Sequence, residues 1–185
     1  MASVVAVCIV EDLRRDSGYF GVTAINKRPQ VGKVKVTRYG LRGDVQADRK
    51  HHGGIDKALY AYGAEDVAYW ESELGHELPA GWFGENLRIE GMDVNAARIG
   101  EIWRIGDTVT VEVTMPRSPC ATFSRWVASS LGSGLDKGWV KRFSDERRLG
   151  PYLRVTHTGS IAAGDPVVVL SSPADAPTVV EVYQP

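Results

Sequence analysis

The sequence predicts one mainly-β, barrel-like domain with helical insertions, spanning residues 1–185. Three observations lead there: at least seven short runs patterned as strands, glycine-containing turn signals between them, and helical spacing confined to three stretches. A chain of 185 residues is long enough to bury one core, and 43 % apolar with 24 % charged residues is ordinary for a globular protein.

In chain order, "VVAVCIV" (4–10) is a near-continuous apolar run suited to a strand buried on both faces. "VGKVKVT" (31–37), "EIWRI" (101–105), "TVTVEVTM" (108–115), "YLRVTHT" (152–158), "PVVVL" (166–170) and "TVVEVY" (178–183) alternate or are rich in β-branched residues. Gly100, Gly106-Asp107, Gly159 and Gly164-Asp165 punctuate them, and the two Gly-Asp turns suit strands turning the corners of a barrel. Helical spacing appears in 64–75, where Val67, Trp70 and Leu74 share a stripe that ends on Gly75. It recurs in 122–132 and 135–150, which "GSG" joins into a helical hairpin of about 122–149 between strands.

A net charge of −1 argues against an overall electrostatic grip on nucleic acid or an anionic membrane. No apolar run approaches the roughly 18 residues of a spanning helix, and the opening lacks a signal-peptide pattern, so the expected location is the cytoplasm. Two cysteines are no disulfide framework. The chain also has no Gly-x-Ser-x-Gly elbow, no phosphate-binding Gly-x-x-x-x-Gly-Lys loop and no dinucleotide fingerprint. Zinc is disfavoured, because Cys120 has no Cys or His close in sequence and His51 and His52 are adjacent rather than at chelating spacing.

Chemistry is suggested by three segments between the regular elements. In His51-His52-Gly53-Gly54, followed by Asp56 and Lys57, paired glycines could open backbone amides to an anion while His and Lys add charge; the same letters also describe a plain polar turn. "WFGENL" (82–87) could set Glu85 and Asn86 at a barrel mouth to orient a polar heterocycle, or Asn86 could cap its own turn. In "MPRSPCATF" (115–123), Cys120 lies between a strand and a helix with Arg117 three residues back, and both the helix N-terminus and the arginine favour thiolate. Cys8, in the middle of an apolar strand, is expected to be inert core.

"GDVQADRKHHGGIDKALYAY", "FGENLRIEGM", "IGD", "PRSPC" and a late "YLRV" followed by "AGD" together resemble, in this order, the MOSC domain family, named for the C-terminal domain of molybdenum cofactor sulfurase. The resemblance covers roughly residues 20–170 and is strongest to standalone bacterial members associated with resistance to N-hydroxylated base analogues. It implies a MOSC-type β-barrel with a C-terminal helical hairpin, a molybdenum cofactor (molybdopterin), and Cys120 as metal ligand or sulfur carrier. By position it assigns His52, Gly53, Gly54, Asp56, Lys57, Gly84, Glu85, Asn86 and Arg117 to the cofactor pocket. Arg28, Arg147, Arg148 and Arg154 are candidate anion contacts, with Arg28 assigned to the cofactor. The "ATF" after Cys120 departs from the family's usual continuation. Pyridoxal phosphate is not expected, since the family's pyridoxal enzyme carries it on a separate N-terminal domain, and neither is a membrane anchor.

The expected activity is an oxidoreductase acting on a small N-hydroxylated substrate, with His52 as proton donor because N–O cleavage needs protons and histidine as a residue type exchanges them near neutral pH. A separate electron-donor reductase is expected as partner, since no flavin, haem or iron–sulfur motif appears. The alternative is a non-redox module that carries a persulfide on Cys120 or delivers the cofactor to another enzyme.

Overall fold

The structure is a computed structural model and describes residues 1–47 and 52–185. His51 therefore lies outside the described residues. In chain order the elements are β1 (Ser3–Val10), β2 (Arg14–Arg15), β3 (Val22–Thr23), β4 (Lys27–Pro29), β5 (Val34–Thr37), β6 (Gly40–Leu41), a 3-10 turn (Ile55–Lys57), β7 (Leu59–Gly63) and α1 (Ala64–Leu74). There follow β8 (Leu87–Glu90), β9 (Ile102–Ile105), β10 (Val109–Pro116), α2 (Ala121–Leu131), α3 (Trp139–Glu146), β11 (Pro151–His157), β12 (Gly159–Ile161), β13 (Val167–Ser171) and α4 (Val179–Val182).

Eight strands form one mixed sheet in the order β13-β9-β10-β11-β7-β8-β1-β4, antiparallel except for the parallel pair β7 and β8. The expected closed barrel is not formed. One edge of β1 pairs with β8, and its other edge is shared: Cys8–Val10 pair with β4, while Ser3 meets Pro166 just before β13 in a single bridge. The contact is a short seam carried by Val4 N–H to Asp165 O (2.9 Å) and Val167 N–H to Ala2 O (3.0 Å), while Pro166 O faces the other way and accepts the Gly106 N–H (2.9 Å).

The core has two parts on opposite sides of β7. Leu59 and Ala61 join the aliphatic interior with Trp103, Ile105, Leu87 and Leu153, whereas Tyr60 and Tyr62 point into an aromatic layer with Trp70, Phe83, Phe123, Trp139 and Phe143. In that layer Tyr62 stacks on Phe83 at 4.3 Å and Trp70 on Phe143 at 5.4 Å between ring centres. Because all five residues of β7 are buried, the strand shows no polar–apolar alternation, and the sequence reading passed over it.

Two further expectations are corrected. Residues 178–183 hold a short helix rather than a strand: Thr178 Oγ1 accepts the Glu181 N–H (3.2 Å) and Glu181 Oε2 accepts the Thr178 N–H (2.7 Å), a capping box that overrides the β-branched composition. The second arm of the helical hairpin begins at Trp139 rather than at 135, after a turn ending on Gly138 at φ 68°.

Candidate active site

A strand-to-helix corner positions Cys120. β10 ends at Pro116, Pro119 keeps the residue before it extended, and Cys120 occupies the N-cap of α2 with φ −138° and ψ 169°. The half-buried thiol thus stands at the positive end of an 11-residue helix. Burial alone would raise its pKa. A hydrogen bond from His52, the charges of Arg117 and His52, and the Phe123 backbone N–H outweigh that and bring it down to about 6. Cys8 behaves oppositely: burial, with Glu85 nearby, pushes its thiol up to about 12. The same chain thus places one thiol where its pKa is lowered and the other where it is raised.

Two residues frame the sulfur. His52 Nδ1 lies 3.0 Å from Tyr152 Oη, so the tyrosine fixes the imidazole that bonds the thiol. Arg117 is anchored by its backbone N–H to Gly150 O (3.0 Å) and lies inside the aromatic layer, its guanidinium 4.1 Å from the Phe123 ring centre and 5.6 Å from that of Phe143. It is only 4 % exposed, yet its Nη1 has no hydrogen-bond partner among the described residues. A buried guanidinium nitrogen without a partner is an anion acceptor in waiting.

These groups line a cavity of about 120 Å³ that opens to solvent. Its lining includes Cys120, Arg117, Thr122 and Tyr152, with Lys57, Ala58 and Tyr60, and Thr23, Ile25, Lys27, Asp44, Gln46 and Asn86. The enclosed part is smaller than the roughly 300–1,000 Å³ of common ligand pockets.

Of the expected pocket residues, His52, Lys57, Gly84, Asn86, Arg117 and Cys120 line this cavity. Gly84 has φ 80°, and a Cβ there would meet Ile25 Cγ1 at 3.2 Å, so the glycine lets the wall close. Asn86 is saturated as a structural strut: its Oδ1 accepts the Tyr60 N–H (3.1 Å), and its Nδ2 donates to Cys8 O (3.2 Å) and Asp44 Oδ2 (2.7 Å). Lys27 Nζ, 2.5 Å from Asp44 Oδ2, completes a buried ion pair on that wall.

The other expected residues are not in the lining of this cavity. Glu85 faces away from the cavity, its Oε1 accepting from Gly81 N–H, Arg88 Nε and Arg88 Nη2 at 2.7 to 3.0 Å. Gly53 and Gly54 do not line it either, and the Gly54 N–H is committed to Gln46 Oε1 (2.9 Å), because the loop uses its glycine to turn rather than to cradle an anion. Asp56 pairs outward with Arg154 at 2.9 Å. Arg28 is exposed on β4, Arg148 pairs with Asp66 at 2.7 Å, and Arg147 donates to Val180 O, all outside this cavity. The sequence reading missed Tyr152, Lys27, Asp44 and Gln46; Asp44 and Gln46 stood inside the "GDVQADRK" stretch, and Tyr152 opened "YLRV".

The MOSC domain family model matches residues 48–168, more than half of the chain. The chain belongs to the MOSC domain family. It is similar to the MOSC relative YflK of Bacillus subtilis (strain 168), 36 % identical over 149 residues, which are 80 % of this chain and 64 % of YflK. It is also similar to a protein of Gibberella moniliformis (strain M3125 / FGSC 7600) named "Reductase", 31 % identical over 157 residues covering 82 % of this chain and 26 % of that protein. The chain thus spans under two thirds of the length of either. In fold it resembles the crystal structure of YiiM from Geobacillus stearothermophilus, with a TM-score of 0.76 over 98 % of this chain and 82 % of that one at 24 % identity. MOSC membership links the chain to the molybdenum cofactor. Among the described residues no helix is long and apolar enough to cross a membrane.

Proposed function

We propose that this MOSC chain holds a molybdenum pterin cofactor with Cys120 as thiolate ligand, and that it reduces the N–O bond of N-hydroxylated substrates. The observation that carries the reading is the Cys120 thiol, held at a pKa of about 6 in a cavity also lined by Arg117, whose buried Nη1 has no hydrogen-bond partner among the described residues. A thiolate is a soft ligand for the metal, and the buried guanidinium suits an anionic group of its cofactor. Among the described residues no group of three or more His, Cys, Asp and Glu could hold a metal ion. The similarity to a protein named "Reductase" supports the reaction class.

When bound, such a cofactor supplies the two-electron chemistry of the cleavage. The net conversion takes R–NHOH, two electrons and two protons to R–NH2 and water. His52 delivers a proton at the cavity wall, held in place by Tyr152 Oη at 3.0 Å. Ile25, Tyr60 and Phe83 line the cavity with apolar surface that excludes bulk water. Electrons come from a separate donor protein.

The test is to purify the protein with the cofactor pathway intact and measure molybdenum by mass spectrometry and pterin by fluorescence after oxidation. Stoichiometric metal and pterin in wild type, both lost in Cys120→Ser, are expected. Wild type without either overturns the reading, and a gain of one sulfur on Cys120 without metal assigns the site to sulfur carriage instead.

A further inference from the structure

Charge is unevenly divided along this chain. Residues 1–63 hold 11 Lys and Arg against 6 Asp and Glu, net +5, whereas residues 64–185 hold 11 against 17, net −6, which together give the −1 of the whole. The imbalance is concentrated between Ser17 and Gly43, a stretch with six basic residues and no Asp or Glu. One of the six, Lys27, is spent on Asp44 inside the cavity wall. The other five, Arg28, Lys33, Lys35, Arg38 and Arg42, are exposed, and none forms an ion pair among the described residues.

Three of the five, Lys35, Arg38 and Arg42, sit on the β5–β6 hairpin, and Arg28 and Lys33 precede it in the chain. Arg42 N–H bonds Lys35 O at 2.8 Å across the β5–β6 hairpin, which sets their side chains close together, and Arg38 stacks its guanidinium 5.2 Å from the Tyr39 ring centre at the hairpin tip. The hairpin is tied to the cavity by Gln46, a lining residue whose Nε2 donates to Tyr39 O (3.4 Å) and Lys57 O (3.2 Å). Arg28 directly follows the lining Lys27. Exposed Val31, Tyr39 and Val45 lie among the cations, so the strip combines charge with apolar contact area.

We propose that this strip docks an acidic electron-carrier protein, which delivers electrons into the Cys120 cavity. The proposal rests on the N–O reductase reading above, which requires such a donor. Complementary charge steers a carrier to the strip and sets its register, while the net −6 of the rest of the chain repels it elsewhere. That negative remainder also disfavours a polyanion such as nucleic acid, which would extend past the strip.

The test compares the cofactor-loaded wild type with the variant Lys33→Glu/Lys35→Glu/Arg38→Glu/Arg42→Glu, whose folding is checked by circular dichroism. Two reductants are used: reduced flavodoxin, an acidic protein, and reduced methyl viologen, a small cation that needs no docking surface. With flavodoxin the wild-type rate should fall about tenfold as salt rises from about 0.01 to 0.15 M and the Debye length shrinks from about 30 to 8 Å. The variant should start at that lower rate and lose the salt dependence. With viologen the two proteins should turn over equally. Equal flavodoxin rates for wild type and variant would overturn the docking surface. No turnover with viologen in either protein overturns the reductase reading, and the surface is then judged by calorimetric binding of oxidised flavodoxin. Binding lost in the variant supports the strip. No wild-type binding, undiminished binding to the variant, or tight binding of a short DNA duplex to wild type that the variant loses would overturn it.

Discussion

Cys8 and Cys120 differ in environment: Cys120 has Arg117 close in sequence and gains His52 through the fold, whereas Cys8 is enclosed by burial. Cys120 has His52 and Arg117 beside it and sits near pKa 6; Cys8 has burial and Glu85 and sits near 12. Iodoacetamide alkylation followed by peptide mass spectrometry should therefore modify Cys120 in the folded protein with a pH midpoint near 6, and Cys8 only after unfolding. Replacing His52 by Ala removes the hydrogen bond and should move the Cys120 midpoint up toward the ordinary thiol value of 9.0; an unmoved midpoint would show that the imidazole does not hold the thiolate. The sign of the linkage follows. A thiol whose folded pKa lies below its unfolded one contributes stability that is fully present above about pH 9 and is lost as pH falls through about 6. Arg117 was legible as a neighbour three residues from the cysteine, but its enclosure by Phe123 and Phe143 was not, since Phe143 comes from a different helix.

Among the elements, the segment Gly84–Asn86 divides its residues: Gly84 and Asn86 line the cavity, and Glu85 does not. Glu85 was expected at the mouth, whereas its carboxylate accepts both Arg88 nitrogens and the Gly81 N–H, and Arg88 in turn donates to Leu78 O and Pro79 O. The pair is a buried staple for the loop before β8. Glu85→Ala should cost about 3–5 kcal/mol in denaturant unfolding, because it leaves the Arg88 charge buried and uncompensated, and a loss under about 1 kcal/mol would contradict that role. The C-terminal helix α4 teaches the reverse lesson. Its Thr-x-x-Glu cap was visible in the letters, yet three valines outweighed it in the reading. Thr178→Ala should lower stability by about 1 kcal/mol, measured as a shift in urea midpoint at unchanged slope.

For the molecule as a whole, the fold and the site meet at Asn86. Its backbone N–H bonds Tyr60 O (2.8 Å), its carbonyl accepts the Cys8 N–H (2.7 Å), and its side chain ties β7, β1 and Asp44 together at the cavity wall. Asn86→Ala should destabilise the whole domain by on the order of 3 kcal/mol, since it strands the Tyr60 N–H and the Cys8 carbonyl in the interior; equal urea midpoints for mutant and wild type would contradict this. The sequence by itself determined the family, the strand-rich pattern, the three main helical stretches and the contrast between the two cysteines. All of these depend on periodicity, local charge or motif order within short windows. The tertiary structure alone decided that the sheet stays open at the Ser3–Pro166 seam, that Tyr152 holds His52, and that Lys27, Asp44 and Gln46 complete the cavity. It also turned Glu85 and Gly54 away from chemistry. The Ser3–Pro166 seam and the His52–Tyr152 bond join residues far apart in the chain, and long-range pairing leaves no periodic trace in the letters that make it.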